Sequence, residues 1–169
     1  MISIKGKPTI FLILYCIGGF LHVLIPAWGI IVPDIGASFY WYWGFYFAGG
    51  GGHTESGIYP DTTIVNAGTI AMYLMFIGFA ILLISIILVR VLKVFETERF
   101  FSIFCIIWII TGILLLIAPS IYVYAVRDGI FGKYAWGIGV YFSYGLAIPP
   151  LLVGIVLLVL KITNRLPQT

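Results

Sequence analysis

The sequence predicts an all-α membrane protein, a bundle of four transmembrane helices, on three observations. Hydrophobic residues make up 62% of the 169-residue chain and charged residues 9%, whereas a soluble domain carries roughly a quarter charged residues to face water. Four apolar runs, residues 10–32, 64–89, 100–124 and 136–160, each reach the roughly 20 helical residues that a bilayer core of about 30 Å requires. The basic residues, finally, are segregated. Lys5 and Lys7 precede the first run, Arg90, Lys93 and Arg99 separate the second from the third, and Lys161 and Arg165 follow the fourth, which is seven of the 9 Lys and Arg.

Short cytoplasmic loops collect Lys and Arg. The other side holds Arg127 and Lys133 against Asp34, Glu55, Asp61 and Asp128. The expected localisation is therefore the cell membrane, multi-pass, with both termini cytoplasmic and two aromatic-rich loops external. Residues 1–169 read as a single integral membrane domain. The net charge of +3 is then a topology signal, so membrane lipid is the expected partner and nucleic acid is not.

The first run follows a basic flank, as a signal peptide does, but it exceeds the 7 to 15 apolar residues of such a segment and reads as a retained anchor. Tyr15 before Cys16 is too large for a lipoprotein cleavage site. Cys16 and Cys105 both fall inside apolar runs, where a thiol behaves as a small buried hydrophobe.

Sliding the chain by 93 residues lays 10–44 on 103–137 without a gap and gives ten identities. Shared apolar composition explains the Ile and Leu matches. It explains poorly the coincidence of Gly19 with Gly112, Pro26 with Pro119, Gly36 with Gly129, and Trp43-Gly44 with Trp136-Gly137. The second helix of each half matches at a different offset, Ala71 on Ala147 and Gly78 on Gly154, so the first half carries 17 extra residues in its loop. The expectation is a tandem duplication of a two-helix hairpin, repeat 1 over 10–89 and repeat 2 over 103–165, related by an axis along the membrane normal.

Pro26 and Pro119 are expected to kink or end helices 1 and 3 near the interface. Gly19 and Gly112 let another backbone approach. On helix 4, Gly139, Ser143 and Ala147 recur every four residues as a small-residue stripe, suited to packing within the bundle or to a dimer interface.

The stretch "FYWYWGFYF", residues 39–47, has eight aromatic residues in nine. Read with period two, Phe39, Trp41, Trp43, Phe45 and Phe47 point one way, and Tyr40, Tyr42, Gly44 and Tyr46 the other, as a strand would present them. The Gly49 to Gly52 run turns the chain, and Asp128-Gly129 in the second loop is a favoured hairpin turn. Two accounts fit: a small external β cap built from both loops, or an interfacial belt of Trp and Tyr at headgroup depth. The interface candidates are Phe39, Trp41, Trp43, Phe45, Phe47 and Trp136.

Chemistry is sparse. Catalysis in a membrane protein usually shows as ionisable residues within the helices, and here only His22 qualifies. It reads as a packing histidine that hydrogen-bonds a carbonyl. His53, Glu55 and Asp61 lack metal-ligand spacing, and no nucleotide loop, nucleophile elbow or carboxylate pair is present. No catalytic residue, metal or cofactor is expected.

In topology the chain resembles the claudin-type tetraspans over its whole length: four helices, cytoplasmic termini and a longer, Trp-rich first external loop. Those proteins place Gly-Leu-Trp and two disulfide-forming cysteines in that loop, where this sequence has "WYWG" and no external cysteine, and tetraspanins need external cysteines too. No family follows. The expected function is that of a non-enzymatic structural or accessory subunit, which contacts itself or other membrane subunits through its aromatic external loops. The alternatives are a small carrier or pore for an apolar or small solute, and a cofactor-free subunit of a membrane enzyme complex.

Overall fold

The computed structural model describes residues 7–32, 36–91, 98–127 and 137–163. Among these described residues four helices and one sheet follow one another as α1 (Lys7–Leu21), a 3-10 turn (His22–Leu24), β1 (Trp28–Val32), β2 (Gly36–Tyr40), β3 (Phe45–Gly50), β4 (His53–Ile58), α2 (Thr62–Val91), α3 (Glu98–Arg127) and α4 (Ile138–Ile162). Three of the helices, α2, α3 and α4, are long and apolar enough to cross a membrane.

The first helix is shorter than the apolar run that encodes it. It ends at Leu21, and residues 28–32, expected as its last turns, are a strand instead. Pro26 explains the stop: a proline disfavours helical backbone in the residue before it, and Ile25 is extended (φ −80, ψ 134), its N–H closing on the His22 carbonyl. The aromatic and β-branched residues of "WGIIV" then favour a strand. Pro119 behaves differently and sits inside the unbroken α3. The matched prolines thus lie in unlike local structures, and residues 28–32 form a strand where 121–125 form a helix.

Beside the expected helices stands an antiparallel sheet in the order β1-β2-β3-β4, which is the small β cap given above as one account of the aromatic loop. Among the described residues all four strands come from the first connection. The second-loop contribution expected around Asp128-Gly129 lies outside the described residues, as does Trp136. The stretch 39–47 is not one strand but a hairpin, in which Phe39 pairs with Phe47 and Tyr40 with Tyr46. Trp41 N–H donates to the Phe45 carbonyl (2.9 Å) and Gly44 N–H to the Trp41 carbonyl (3.0 Å). Gly44, at φ +83, supplies the left-handed residue that closes a three-residue loop. At the next turn Gly51 (φ +58) and Gly52 (φ +85) give the two positive φ values of a type I′ turn.

Asp61 starts α2 as an N-cap, its carboxylate accepting from the N–H of Thr63 (2.9 Å) and Ile64 (3.3 Å), which satisfies donors that have no helical partner. The core runs between the helices through Cys16, Met75, Phe79, Leu82, Leu115 and Val140, and reaches Tyr42 in the hairpin loop. Gly19 abuts the Phe79 ring, and a Cβ at Gly112 would meet Leu151 at 2.7 Å, so both glycines permit close helix approach.

Candidate functional site

Two arrangements concentrate the polar and aromatic chemistry: the hairpin cap, and the buried junction where it enters the helices. Cross-strand partners share a face, as do alternate residues along a strand. Phe39, Phe45 and Phe47 therefore lie on one face of the cap, and Tyr40 and Tyr46 on the other. Trp41 and Trp43 in the loop extend the first face: Trp43 stacks on Phe45 at 5.1 Å between ring centroids, and Trp41 meets Phe45 edge-on at 5.5 Å. Trp41 also donates its indole N–H to the Leu24 carbonyl (2.7 Å), satisfying the polar end of a largely apolar ring. Trp43 and Phe47 remain 39% and 38% exposed.

The tyrosine face is tied inward. Tyr40 stacks on Tyr46 at 6.0 Å and meets Tyr59 edge-on at 5.4 Å, and Tyr59 packs against the core. Burial pushes the Tyr40 phenol above its ordinary pKa, helped by the neighbouring Tyr59 and Tyr46 and opposed by a hydrogen bond with Ser38.

Tyr42, at the loop tip, is fully buried, packed edge-on against Tyr122 of α3 at 4.9 Å. Its hydroxyl lies 3.0 Å from Ser143 Oγ on α4. Ser143 Oγ is also 3.0 Å from His22 Nε2 and donates at 2.7 Å to the Gly139 carbonyl. His22 Nδ1 bonds the Gly19 carbonyl one turn back. A carbonyl only accepts, so Nδ1 carries the hydrogen and Nε2 of the neutral ring faces Ser143 as an acceptor. The single Ser143 hydrogen has two claimants, and Tyr42 donates to the same oxygen. The junction ties the turn after α1, the cap and α4 together through one serine hydroxyl.

The small residues of α4 face this junction. Gly139 touches the Pro26 carbonyl and Ala27, its N–H donating to Pro26 (3.1 Å) while Val140 N–H donates to Ala27 (3.3 Å). These two bonds use donors that a helix start leaves free. Ser143 and Ala147 follow on the same buried face. Cys16 and Cys105 are both free and buried. Among the described residues no group of three His, Cys, Asp or Glu side chains converges as a metal site.

The sequence did not reveal Tyr42 as an inward anchor, because period two placed it with the other tyrosines. Gly44 is the signal that could have found it: a glycine five residues into an aromatic run marks a turn, and a turn breaks the alternation. No family model matches the chain, and no curated protein matches it with significant similarity.

Proposed function

We propose that this chain is a four-span membrane protein, and that the Phe/Trp face of its cap joins it to a second copy or to a neighbouring membrane subunit as a non-enzymatic accessory component. Support for α1 as the fourth span comes from its exterior, where Phe11, Leu14, Ile17, Leu21 and Leu24 are all exposed hydrocarbon. Its length also suffices: fifteen α-helical and three 3-10 residues cover about 28 Å, against a core of about 30 Å. The segregation of seven basic residues favours cytoplasmic termini.

The observation that carries the contact is the exposed edge of the aromatic face at Trp43 and Phe47, continuous with Trp41 and Phe45. Contiguous exposed aromatics mark interaction surfaces, and burying such rings dominates interface energies. A tandem origin of the two halves draws support from Gly19 and Gly112, each packed on the next helix of its own half; the strand at 28–32 against the helix at 121–125 weighs the other way.

The test is the native mass after extraction in mild detergent. Wild-type protein should run as a complex and Trp43→Ser with Phe47→Ser as a monomer that still inserts; an unchanged mass in the double variant would remove the proposal. An epitope placed at Gly51, on the exposed turn, should be reached by antibody on intact cells, and protection there would reverse the orientation.

A further inference from the structure

A cavity of about 220 Å³ opens between α1 and α4, below the junction described above. Its floor is Cys16, Leu82, Trp108 and Pro150, all buried, and its rim includes Phe11 on α1 and Val153 on α4, which are 70% and 38% exposed. All four helices contribute to it. It exists because α1 packs chiefly on α2, and α4 on α3, while α1 and α4 are bridged by side chains above the cavity: Tyr15 to the Leu146 carbonyl, and His22 to Ser143.

The lining states what it can hold. No charged side chain lines the space. The two lining side chains with strong polar groups are already committed within the protein, Tyr15 to Leu146 and the Trp108 indole N–H to Ser85 Oγ at 2.9 Å. An occupant therefore gains nothing from a polar group of its own. Water is disfavoured, since it needs two to four polar partners, and apolar cavities of roughly 150 Å³ stay dry and take up hydrocarbon such as benzene. Left empty, the walls forfeit dispersion contacts. Pro149 and Pro150 sit midway along α4, so if that helix spans a bilayer the mouth opens at the depth of the acyl chains.

We propose that the crevice between α1 and α4 is a lipid site that takes one hydrocarbon chain of a membrane lipid, seated against Trp108 and Cys16. This rests on the four-span reading above. The site selects for hydrocarbon and reads no headgroup.

Bromine on an acyl chain quenches an indole only at contact, which makes buried Trp108 the reporter. A variant keeping Trp108 alone (Trp28→Phe, Trp41→Phe, Trp43→Phe, Trp136→Phe) is reconstituted into dioleoylphosphatidylcholine vesicles, with or without bromination of the chain double bonds. Loss of Trp108 fluorescence in the brominated vesicles, abolished when Val153→Phe fills the mouth, is the expected result. Unquenched Trp108 in inserted protein, as a side chain from a neighbouring copy in the crevice would produce, overturns the site. Quenching that persists in Val153→Phe overturns it too, because the contact then lies elsewhere. If the four-fold variant does not fold, the same difference is read between the wild type and Trp108→Phe. Carbonate extraction separates the two levels of the argument: protein released by carbonate overturns the four-span reading, whereas retained but unquenched protein overturns the lipid site alone.

Discussion

Tyr15 of α1 donates its phenolic hydrogen to the carbonyl of Leu146 in α4, the carbonyl that a helix would pair with the N–H of residue 150, where proline has none. One helix thus repairs the backbone defect of another, across 131 positions of sequence. In an apolar surrounding this matters more than in water, because an orphaned carbonyl there has no solvent to turn to.

The relationship predicts a double-mutant cycle. Tyr15→Phe should cost about 1–2 kcal/mol of stability, the range for a lost interhelical bond that leaves a part-buried acceptor. In a Pro150→Ala background, where the restored N–H reaches Leu146, the same change should cost close to nothing. Thermal unfolding in detergent reads both, and additive losses would show that Tyr15 acts through packing and not through that carbonyl.

Ser143 carries the second prediction. Its hydroxyl is shared by Tyr42, His22 and the Gly139 carbonyl, so Ser143→Ala strands two buried polar groups and should cost about 1–3 kcal/mol. Ser120→Ala, on an exposed hydroxyl that bonds Leu116 and Tyr144, should cost less than half as much. Equal losses would mean that the junction contributes no more than a surface hydroxyl.

Much of this architecture was legible in the chain, and the failures have identifiable causes. The ends of α2, α3 and α4 fall within two or three residues of the apolar limits, because charged or turn-forming residues bound those runs on both sides. The end of α1 was overrun by some ten residues, since "WGIIV" is as apolar as a helix and periodicity cannot tell a short apolar strand from one. Pro26 held the missing information through its effect on Ile25. The split of the cap into a Phe/Trp face and a Tyr face survives the hairpin, because its three-residue loop keeps Phe39 and Phe47 in phase. The grouping of Tyr42 with the other tyrosines does not hold, since Tyr42 is buried in the bundle. Contacts such as Tyr42 to Ser143, 101 residues apart, leave no local pattern to read.

The third prediction concerns alkaline pH. Tyr40 and Tyr59 are both raised above the ordinary phenol value near 10, each first by burial, then Tyr40 by its tyrosine neighbours and Tyr59 by Asp61. A raised folded pKa means that the unfolded chain loses its proton first as pH rises, so the folded cap binds more protons there and its stability falls. The contribution of these two phenols should be constant below about pH 10, and stability should decline above it. The difference in phenolate absorbance between wild type and Tyr40→Phe isolates one phenol, and a midpoint at or below the ordinary value would contradict the sheltered tyrosine face.

Two glycine substitutions of opposite expected sign test how the cap is seated. Gly68 in α2 lies directly under the Tyr42 carbonyl, and an added Cβ would also meet the Tyr122 ring at 3.3 Å. That carbonyl cannot retreat freely, because the loop is held at Ser143 by the Tyr42 hydroxyl and by Tyr59 N–H donating to Gly44 at 2.8 Å. Gly145 in α4 has nothing within 4 Å of its missing Cβ. Alanine is favoured over glycine inside a helix by up to about 1 kcal/mol, so Gly145→Ala should raise the unfolding temperature. At Gly68 the same propensity gain competes with overpacking, which typically costs about 1–3 kcal/mol, and the clash is with backbone, so Gly68→Ala should lower it. The clash should also increase protease cutting at the 41–44 loop, which a loss of helix propensity alone would not do. If both substitutions stabilise the protein, the hairpin does not rest on α2 at Gly68, and the route by which Tyr42 reaches Ser143 would have to be different.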